Sequence, residues 1–179
     1  MTHPERIEGK EFVLRFFTVD DNVEYSAAGN DEAVAWNLPD KIHPMPLTEQ
    51  RASAMINMIL MTSRDPTKKV VYAVEVDGVI VGIASLFVDE DDSTSAEVGY
   101  WYAKHCWGRG LATKVGRLIT DYGFKQMGLG RIWGGVYEWN AASMRVLTKL
   151  GFTDIGPSEK SVLVNGEMHC PHIFEKFRP

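Results

Sequence analysis

The sequence predicts one α/β domain in which about seven strands and four helices follow the order β-α-α-β-β-β-α-β-α-β-β. Three observations predict this class. Short runs rich in β-branched and aromatic residues alternate with longer stretches whose apolar residues recur at helical spacing. A glycine turn joins one of these strands directly to a long helix. Asp-Gly and Asn-Gly pairs mark two hairpins.

The amino-terminal third contains one strand and two amphipathic helices. Residues 12–16 are apolar and predict the first strand, and Thr18 caps a helix that continues into the twenties or thirties. Pro39, which follows Trp36, cannot continue that helix. A second helix begins at Thr48.

Three strands follow in the middle of the chain. Residues 70–75 and 79–88 are apolar, β-branched runs separated by Asp77-Gly78, which predicts an antiparallel hairpin. An acidic loop precedes the fourth strand at residues 96–103.

A tight turn over residues 107–112, Trp-Gly-Arg-Gly-Leu-Ala, opens the longest helix. Glycines before a helix start allow an anionic group to approach amides that have no partner inside the helix. A nucleoside triphosphate loop would need Gly-Lys-Ser/Thr here, and a dinucleotide fingerprint would need a third glycine in place of Thr113. The turn therefore predicts a phosphate site of another kind, although an ordinary strand-to-helix connection explains it as well.

The carboxy-terminal part adds a strand at residues 131–137, a short helix at residues 141–150, and a closing hairpin at residues 162–174. Asn140 is a favourable amino-terminal cap, and Gly151 is a favourable terminator.

Composition bounds the function. The 179 residues suffice for one domain, and we expect residues 1–179 to form it. A net charge of −5 argues against nucleic-acid binding. Although the chain as a whole is acidic, four cationic residues cluster around the glycine turn. They would either attract a polyphosphate to the turn or form a solvated helix face, and they are Lys104, Arg109, Lys114 and Arg117.

The cellular setting is also predicted. Residues 1–6 lack the apolar core of a secretion signal, and no apolar run is long enough to cross a membrane, so we expect a cytoplasmic protein without membrane contact. Its two cysteines are then reduced. His169 and His172 would point to opposite faces of a strand, so we predict no metal site.

Two motifs resemble the GNAT N-acetyltransferase superfamily. The turn at residues 107–112 is similar to its coenzyme A pyrophosphate loop, Gln/Arg-x-x-Gly-x-Gly/Ala, with Trp107 in the first position. Residues 140–152, with Asn-x-x-Ser at their start and Gly-Phe at their end, resemble its second signature at the family's separation. The wider pattern is similar to the ribosomal-protein-alanine N-acetyltransferase (RimJ/RimL-like) branch.

The resemblance implies a mixed, mostly antiparallel, twisted sheet flanked by helices and splayed between strands four and five. Acetyl-coenzyme A would lie in that gap as cosubstrate. Its pantetheine arm would pair with strand four at Tyr102 and Ala103, and Asn140 would contact the arm. Its pyrophosphate would rest on the turn and helix start, which supply Gly108, Arg109, Gly110, Leu111, Ala112 and Thr113.

Catalysis requires a base for the amine and an acid for the leaving thiolate. Glu97, at the start of strand four, is our candidate base, and a surface carboxylate is the alternative. Ser143 matches the serine that serves the thiol in the ribosomal-protein branch. Thr148 occupies the position at which many family members carry a tyrosine that acts as the general acid.

The acceptor is a primary amine, either a protein amino terminus or a small molecule such as a polyamine, amino sugar or aminoglycoside. By resemblance Trp36 and Pro39 line its site, although core packing alone favours burial for Trp36. A non-catalytic acyl-coenzyme A sensor is the alternative from another class. The oligomeric state stays open, a homodimer included.

Overall fold

In this computed structural model, which describes residues 3–40, 42–62 and 67–179, one large sheet separates two layers of helices. Besides two single-turn 3-10 helices, the described residues form five α-helices, namely α1 (Asn22–Gly29), α2 (Glu32–Ala35), α3 (Glu49–Thr62), α4 (Leu111–Lys125) and α5 (Ala141–Lys149). The ten strands are β1 (Arg6–Glu8), β2 (Val13–Arg15), β3 (Lys69–Val76), β4 (Val79–Val88), β5 (Ser95–Tyr102), β6 (Arg131–Val136), β7 (Thr153–Pro157), β8 (Val162–Val164), β9 (Glu167–His169) and β10 (His172–Phe177).

The main sheet contains eight strands in the order β1-β2-β3-β4-β5-β6-β10-β7, and β8 and β9 form a separate hairpin. All neighbouring pairs are antiparallel except β5 and β6. The predicted mixed sheet flanked by helices is confirmed. The predicted order lacks β1 and β7. The predicted last strand is divided into β9, which pairs with β8 as in the predicted hairpin, and β10, which inserts between β6 and β7.

The segment after β2 holds two helices where the sequence indicates one. Asp31 accepts a hydrogen bond from the Ala33 amide at 2.8 Å and starts α2 as a new helix. α2 ends at Ala35, before Pro39, as predicted. Among the described residues, no helix is long and apolar enough to span a bilayer.

Alternation along the strands divides the core between the two faces of the sheet. On one face, Tyr72, Leu86 and Val98 pack with Val115 and Ile119 of α4. On the other, side chains of β3, β4 and β5 pack with α1 and α3 in a cluster that includes Tyr25, Ile56, Val71, Ala73 and Trp101. Both faces of β5 are thus fixed by packing.

The feature that positions the site is the gap between β5 and β6. The two strands pair at Ser95, Ala96 and Glu97 of β5. Beyond Glu97, β5 keeps its pairing with β4 as far as Tyr102 and β6 keeps its pairing with β10 as far as Val136, but β5 and β6 no longer pair with each other. This is the predicted splay, since strands four and five of the sequence analysis are β5 and β6.

Candidate active site

A cleft of about 790 Å³ opens at the carboxyl end of β5, where the strands part. Its walls come from α2 and the residues after it, the end of β5, the glycine turn, the first turn of α4 and one side of α5. The cleft brings together most of the predicted site residues, namely Tyr102, Gly108, Gly110, Leu111, Ala112, Thr113, Asn140 and Ser143.

The glycine turn presents open backbone amides to this cleft. Gly108 and Gly110 have φ of 74° and 79°, the left-handed region that favours glycine. Gly110 is the amino-terminal cap of α4 and provides no side-chain hydrogen bond. The first backbone hydrogen bond of the helix is the one in which the Lys114 amide donates to the Gly110 carbonyl at 3.1 Å. The amides of residues 111–113 therefore have no partner within the helix and could donate to a bound anion.

Space at the turn is also open. A Cβ atom added to Gly108 or Gly110 would meet no heavy atom within 4 Å. The backbone can thus be approached closely from the cleft side.

Trp107 ties this turn to the end of β5. Its indole Nε1 donates to the Tyr102 carbonyl at 2.7 Å. The tryptophan in the first motif position therefore has a structural role, which is to hold the turn against the strand whose edge is free.

A pair of hydroxyl groups lies deeper in the cleft. Tyr100 Oη and Ser143 Oγ are 2.9 Å apart, and the Ser143 amide donates to Asn140 Oδ1 at 3.1 Å. Burial raises the pKa of Tyr100 to about 12, so its phenol stays protonated near neutral pH. The sequence analysis missed Tyr100, although it lies two residues from Tyr102 and so points to the same face of β5.

Tyr102 adds a third hydroxyl group. Its side chain is buried, and its oxygen has no hydrogen-bond partner among the described residues. Burial raises its pKa well above the ordinary value. An unpaired buried donor on the wall of a cleft is compatible with a polar group of a bound molecule.

Glu97 lies at the point where β5 and β6 part, outside the lining of the cleft. It shares the face of Trp101, opposite to Tyr100. Burial raises its pKa, and the charge of Asp89 raises it further. Tyr137 lies close enough that Glu97 contributes, after burial, to raising the Tyr137 pKa to about 12.

Two predicted cofactor residues lie outside the cleft lining. Ala103 is buried, its amide donates to the Val81 carbonyl at 2.7 Å, and its carbonyl accepts from the Cys106 amide at 2.9 Å. Both backbone groups are thus used within the protein. Arg109 lies in the turn, and its side chain does not line the cleft.

Among the other polar residues near the motifs, some are bonded within the protein and some line the cleft. Lys114 is ion-paired with Glu11, and the Thr148 hydroxyl donates to the Met144 carbonyl of its own helix at 2.9 Å. Two cations that the sequence analysis missed, Arg145 and Lys149, do line the cleft from α5. Their spacing of four residues puts both on one helix face.

The far end of the cleft is aromatic. Trp36 lines it while remaining 55% exposed, so the core-packing alternative is wrong for this residue. Trp139 lines the same end, with its ring centroid 6.2 Å from that of Trp36 and 5.0 Å from that of Tyr137. Pro39 does not line the cleft.

Comparisons with known proteins identify the family of the chain. Residues 11–153 match the acetyltransferase (GNAT) domain family. The chain belongs to the GNAT acetyltransferase family. The Bacillus subtilis (strain 168) protein named "Probable N-acetyltransferase YjcK" is 40% identical over 91 residues, which are 50% of this chain and 50% of that protein. The chain thus spans about half the length of the curated relatives that it matches first.

Solved GNAT structures share the whole fold. The microcin C7 self-immunity acetyltransferase MccE, in complex with acetyl-CoA and AMP, superimposes with a TM-score of 0.86 and 20% identity over 98% of both chains. RimJ of Mycobacterium smegmatis, in complex with CoA-disulfide, gives a TM-score of 0.80 and 23% identity over 93% of this chain and 81% of that one. These likenesses establish the GNAT fold.

Proposed function

We propose that this GNAT domain transfers acetyl from acetyl-coenzyme A directly to a primary amine, and that the amine is the α-amine of a peptide or protein. The observation that carries the proposal is the convergence of three features in one cleft. Open amides at the start of α4, the free edge of β5 and the hydroxyl pair of Tyr100 and Ser143 all face the same space.

The residues of the cleft fit coenzyme A. The amides of residues 111–113 would hold the pyrophosphate at the positive end of α4. The arm contains amides that need partners, and the edge of β5 that β6 leaves free would supply them. The unpaired hydroxyl of Tyr102 is a further donor for this arm. Asn140 Oδ1 is already used as the cap of α5, so a contact from this side chain to the arm would come from its Nδ2 group.

The chemistry follows from the hydroxyl pair. The amine nitrogen forms a bond to the thioester carbonyl carbon, the carbon–sulfur bond breaks, and the sulfur takes a proton. Ser143 donates that proton, and Tyr100 replaces it through their hydrogen bond of 2.9 Å. Glu97, directly or through water, takes the proton that the amine loses. After the products leave, Glu97 releases this proton to water and Tyr100 takes one back from water, which restores both groups.

The position of Glu97 favours an α-amine as acceptor. A base outside the cleft lining is poorly placed to deprotonate an alkylammonium group, whose pKa is about 10.4. An α-amino group has a pKa of about 7.7 to 8.0, so a substantial fraction is neutral without help. The half-exposed Trp36 at the aromatic end of the cleft also leaves room for a chain that continues beyond the reacting amine.

A thiol-release screen with acetyl-coenzyme A tests the proposal. The acceptors are peptides with a free amino terminus, the same peptides with a blocked terminus and a free lysine, spermidine, and an aminoglycoside. We expect release only with free α-amines. Release with spermidine or the aminoglycoside alone would assign a small-amine acceptor instead. Calorimetric binding of coenzyme A without release in any mixture would identify a sensor.

A further inference from the structure

The acceptor end of the cleft is held together by a contact between two distant segments. The carboxylate of Asp40, just after α2, accepts the backbone amides of Asn165 and Gly166 at 2.8 Å and 3.2 Å. These two residues form the tip of the β8–β9 hairpin. We refer to this contact of Asp40 with the hairpin tip as the clasp.

The backbone of the tip is shaped for this contact. Asn165 and Gly166 have φ of 51° and 81°, as in the tightest hairpin turns. Both amides point to the same carboxylate, and hydrogen bonds to a charged acceptor are the strong ones.

The clasp acts on Trp36, four residues before Asp40. The Trp36 carbonyl accepts Asn165 Nδ2 at 3.4 Å and the Trp139 indole Nε1 at 3.3 Å. His169 of β9 packs edge-on against Trp139 with ring centroids 4.7 Å apart. The wall of the cleft formed by Trp36 and Trp139 is therefore connected to the hairpin at its tip and along its second strand.

On the side of α2, the Trp36 backbone is held by its amide, which donates to the Glu32 carbonyl at 2.8 Å, and the clasp adds the connection to the hairpin. Trp36 lies beyond the end of α2, a helix of only four residues, and its side chain is half-exposed. The hairpin pairs with no strand of the main sheet among the described residues. Each segment thus stabilises the other, and removing the carboxylate would loosen the contact between them.

We propose that Asp40 is a positioning residue for the amine acceptor, because the clasp fixes Trp36 and so sets the shape of the acceptor end of the cleft. This rests on the proposed acetyl transfer, for which the cleft is the active site. Asp40 touches neither the glycine turn nor the hydroxyl pair. The clasp therefore controls acceptor affinity and leaves coenzyme affinity unchanged.

The test compares Asp40→Ala with Asp154→Ala. Asp154 also accepts a glycine amide, that of Gly156 at 2.9 Å, but its other side-chain contact is with His172 of β10 instead of with the β8–β9 hairpin. All five tryptophans are labelled with 5-fluorotryptophan, and the fluorine resonances of Trp36 and Trp139 are assigned by single replacement with phenylalanine. In Asp40→Ala we expect these two resonances to move or broaden, while the other three stay fixed. In Asp154→Ala we expect no change at Trp36.

The kinetic part uses trialanine amide and spermidine as probe amines. Asp40→Ala loses hydrogen bonds to a charged group. We therefore expect the KM of whichever probe amine the wild type acetylates to rise by roughly 5-fold to 50-fold, and the KM of acetyl-coenzyme A to change by less than about 2-fold. Asp40→Asn, which keeps one acceptor oxygen, should recover part of the loss.

Unchanged Trp36 and Trp139 resonances in folded Asp40→Ala would overturn the clasp, whatever the activity. An equal rise in KM for both substrates would also contradict it, since that indicates general damage. Wild-type protein that acetylates neither probe bears on the proposed function, and the fluorine measurement then decides the clasp alone.

Discussion

Tyr100 Oη lies 2.9 Å from Ser143 Oγ, so a strand residue and a helix residue 43 positions apart share one hydrogen bond inside the cleft. This pair connects the sheet to the start of α5 at the place where the β5 edge is free. It is the arrangement from which the chemistry of the site can be tested most directly.

The first prediction concerns this pair. Ser143→Ala should lower kcat by about 100-fold to 10,000-fold with little change in coenzyme affinity, because a positioned acid acts mainly on the transition state. Tyr100→Phe should lower kcat less, and it should have no further effect in the Ser143→Ala background, since it acts through Ser143. Steady-state kinetics of the double-mutant cycle measure both effects.

The control for that cycle is Thr148→Val. The Thr148 hydroxyl donates to a carbonyl of its own helix, so this variant should retain wild-type turnover. Full turnover in Ser143→Ala would refute the role of Ser143 and direct the search to Tyr102.

The second prediction concerns the glycine turn. Gly110→Val should abolish coenzyme A binding, because a side chain would occupy the open space from which the pyrophosphate reaches the amides of residues 111–113. Gly78→Val is the matched control. Gly78 has nearly the same φ, 80° against 79°, and equally open surroundings, but it lies in the β3–β4 turn.

Both glycine variants should lose about 1 to 3 kcal/mol of stability from the same backbone strain. Calorimetry should detect coenzyme A binding only in Gly78→Val. Equal affinity in the two folded variants would remove the binding site from the turn.

The third prediction concerns the cations of α5. Arg145→Met with Lys149→Met should weaken coenzyme A binding by roughly 5-fold to 20-fold and flatten its dependence on salt, because exposed charges near a polyphosphate act through screened attraction. Arg117→Met, on α4 and outside the cleft lining, should change neither quantity. A salt slope equal to that of the wild type in the double variant would show that these cations are only a solvated face.

Arg109 and Lys114 should contribute less to this effect. Lys114 is already ion-paired with Glu11, and Arg109 does not line the cleft. Neutralising both should therefore reduce the salt slope by a smaller amount than the α5 pair.

The fourth prediction concerns pH and Glu97. If Glu97 is the base, it works only when ionised, so the rate should rise with pH through its pKa, which burial and Asp89 raise. Glu97→Gln should flatten that rise. Asp89→Asn removes a like charge, so it should lower the pKa of Glu97 and move the rise to lower pH.

The pH–rate profile of Asp92→Asn serves as the control. Asp92 lies in the same acidic loop and bonds to Thr94, and its charge does not contribute to the shift at Glu97. An unmoved profile in Asp89→Asn, with the rise still present in Glu97→Gln, would assign the base to another group.

The sequence determined the elements whose signals are local. Hydrophobic periodicity and end signals located β4, α4 and α5, since a cap at Asn140 and a glycine at position 110 act on their own neighbours. The two motifs then brought the glycine turn and Ser143 into one site.

Only the tertiary structure decided which side chains meet. β1 and β7 are short strands, of three and five residues, that exist because neighbouring strands pair with them, and β10 lies between β6 and β7 for the same reason. Tyr100 meets Ser143, and Asp40 meets the hairpin tip, across 43 and 125 residues of chain. Such contacts depend on where the strands of the sheet part and on how the loops cross it. The local periodicity of a sequence does not determine which residues so far apart in the chain come into contact.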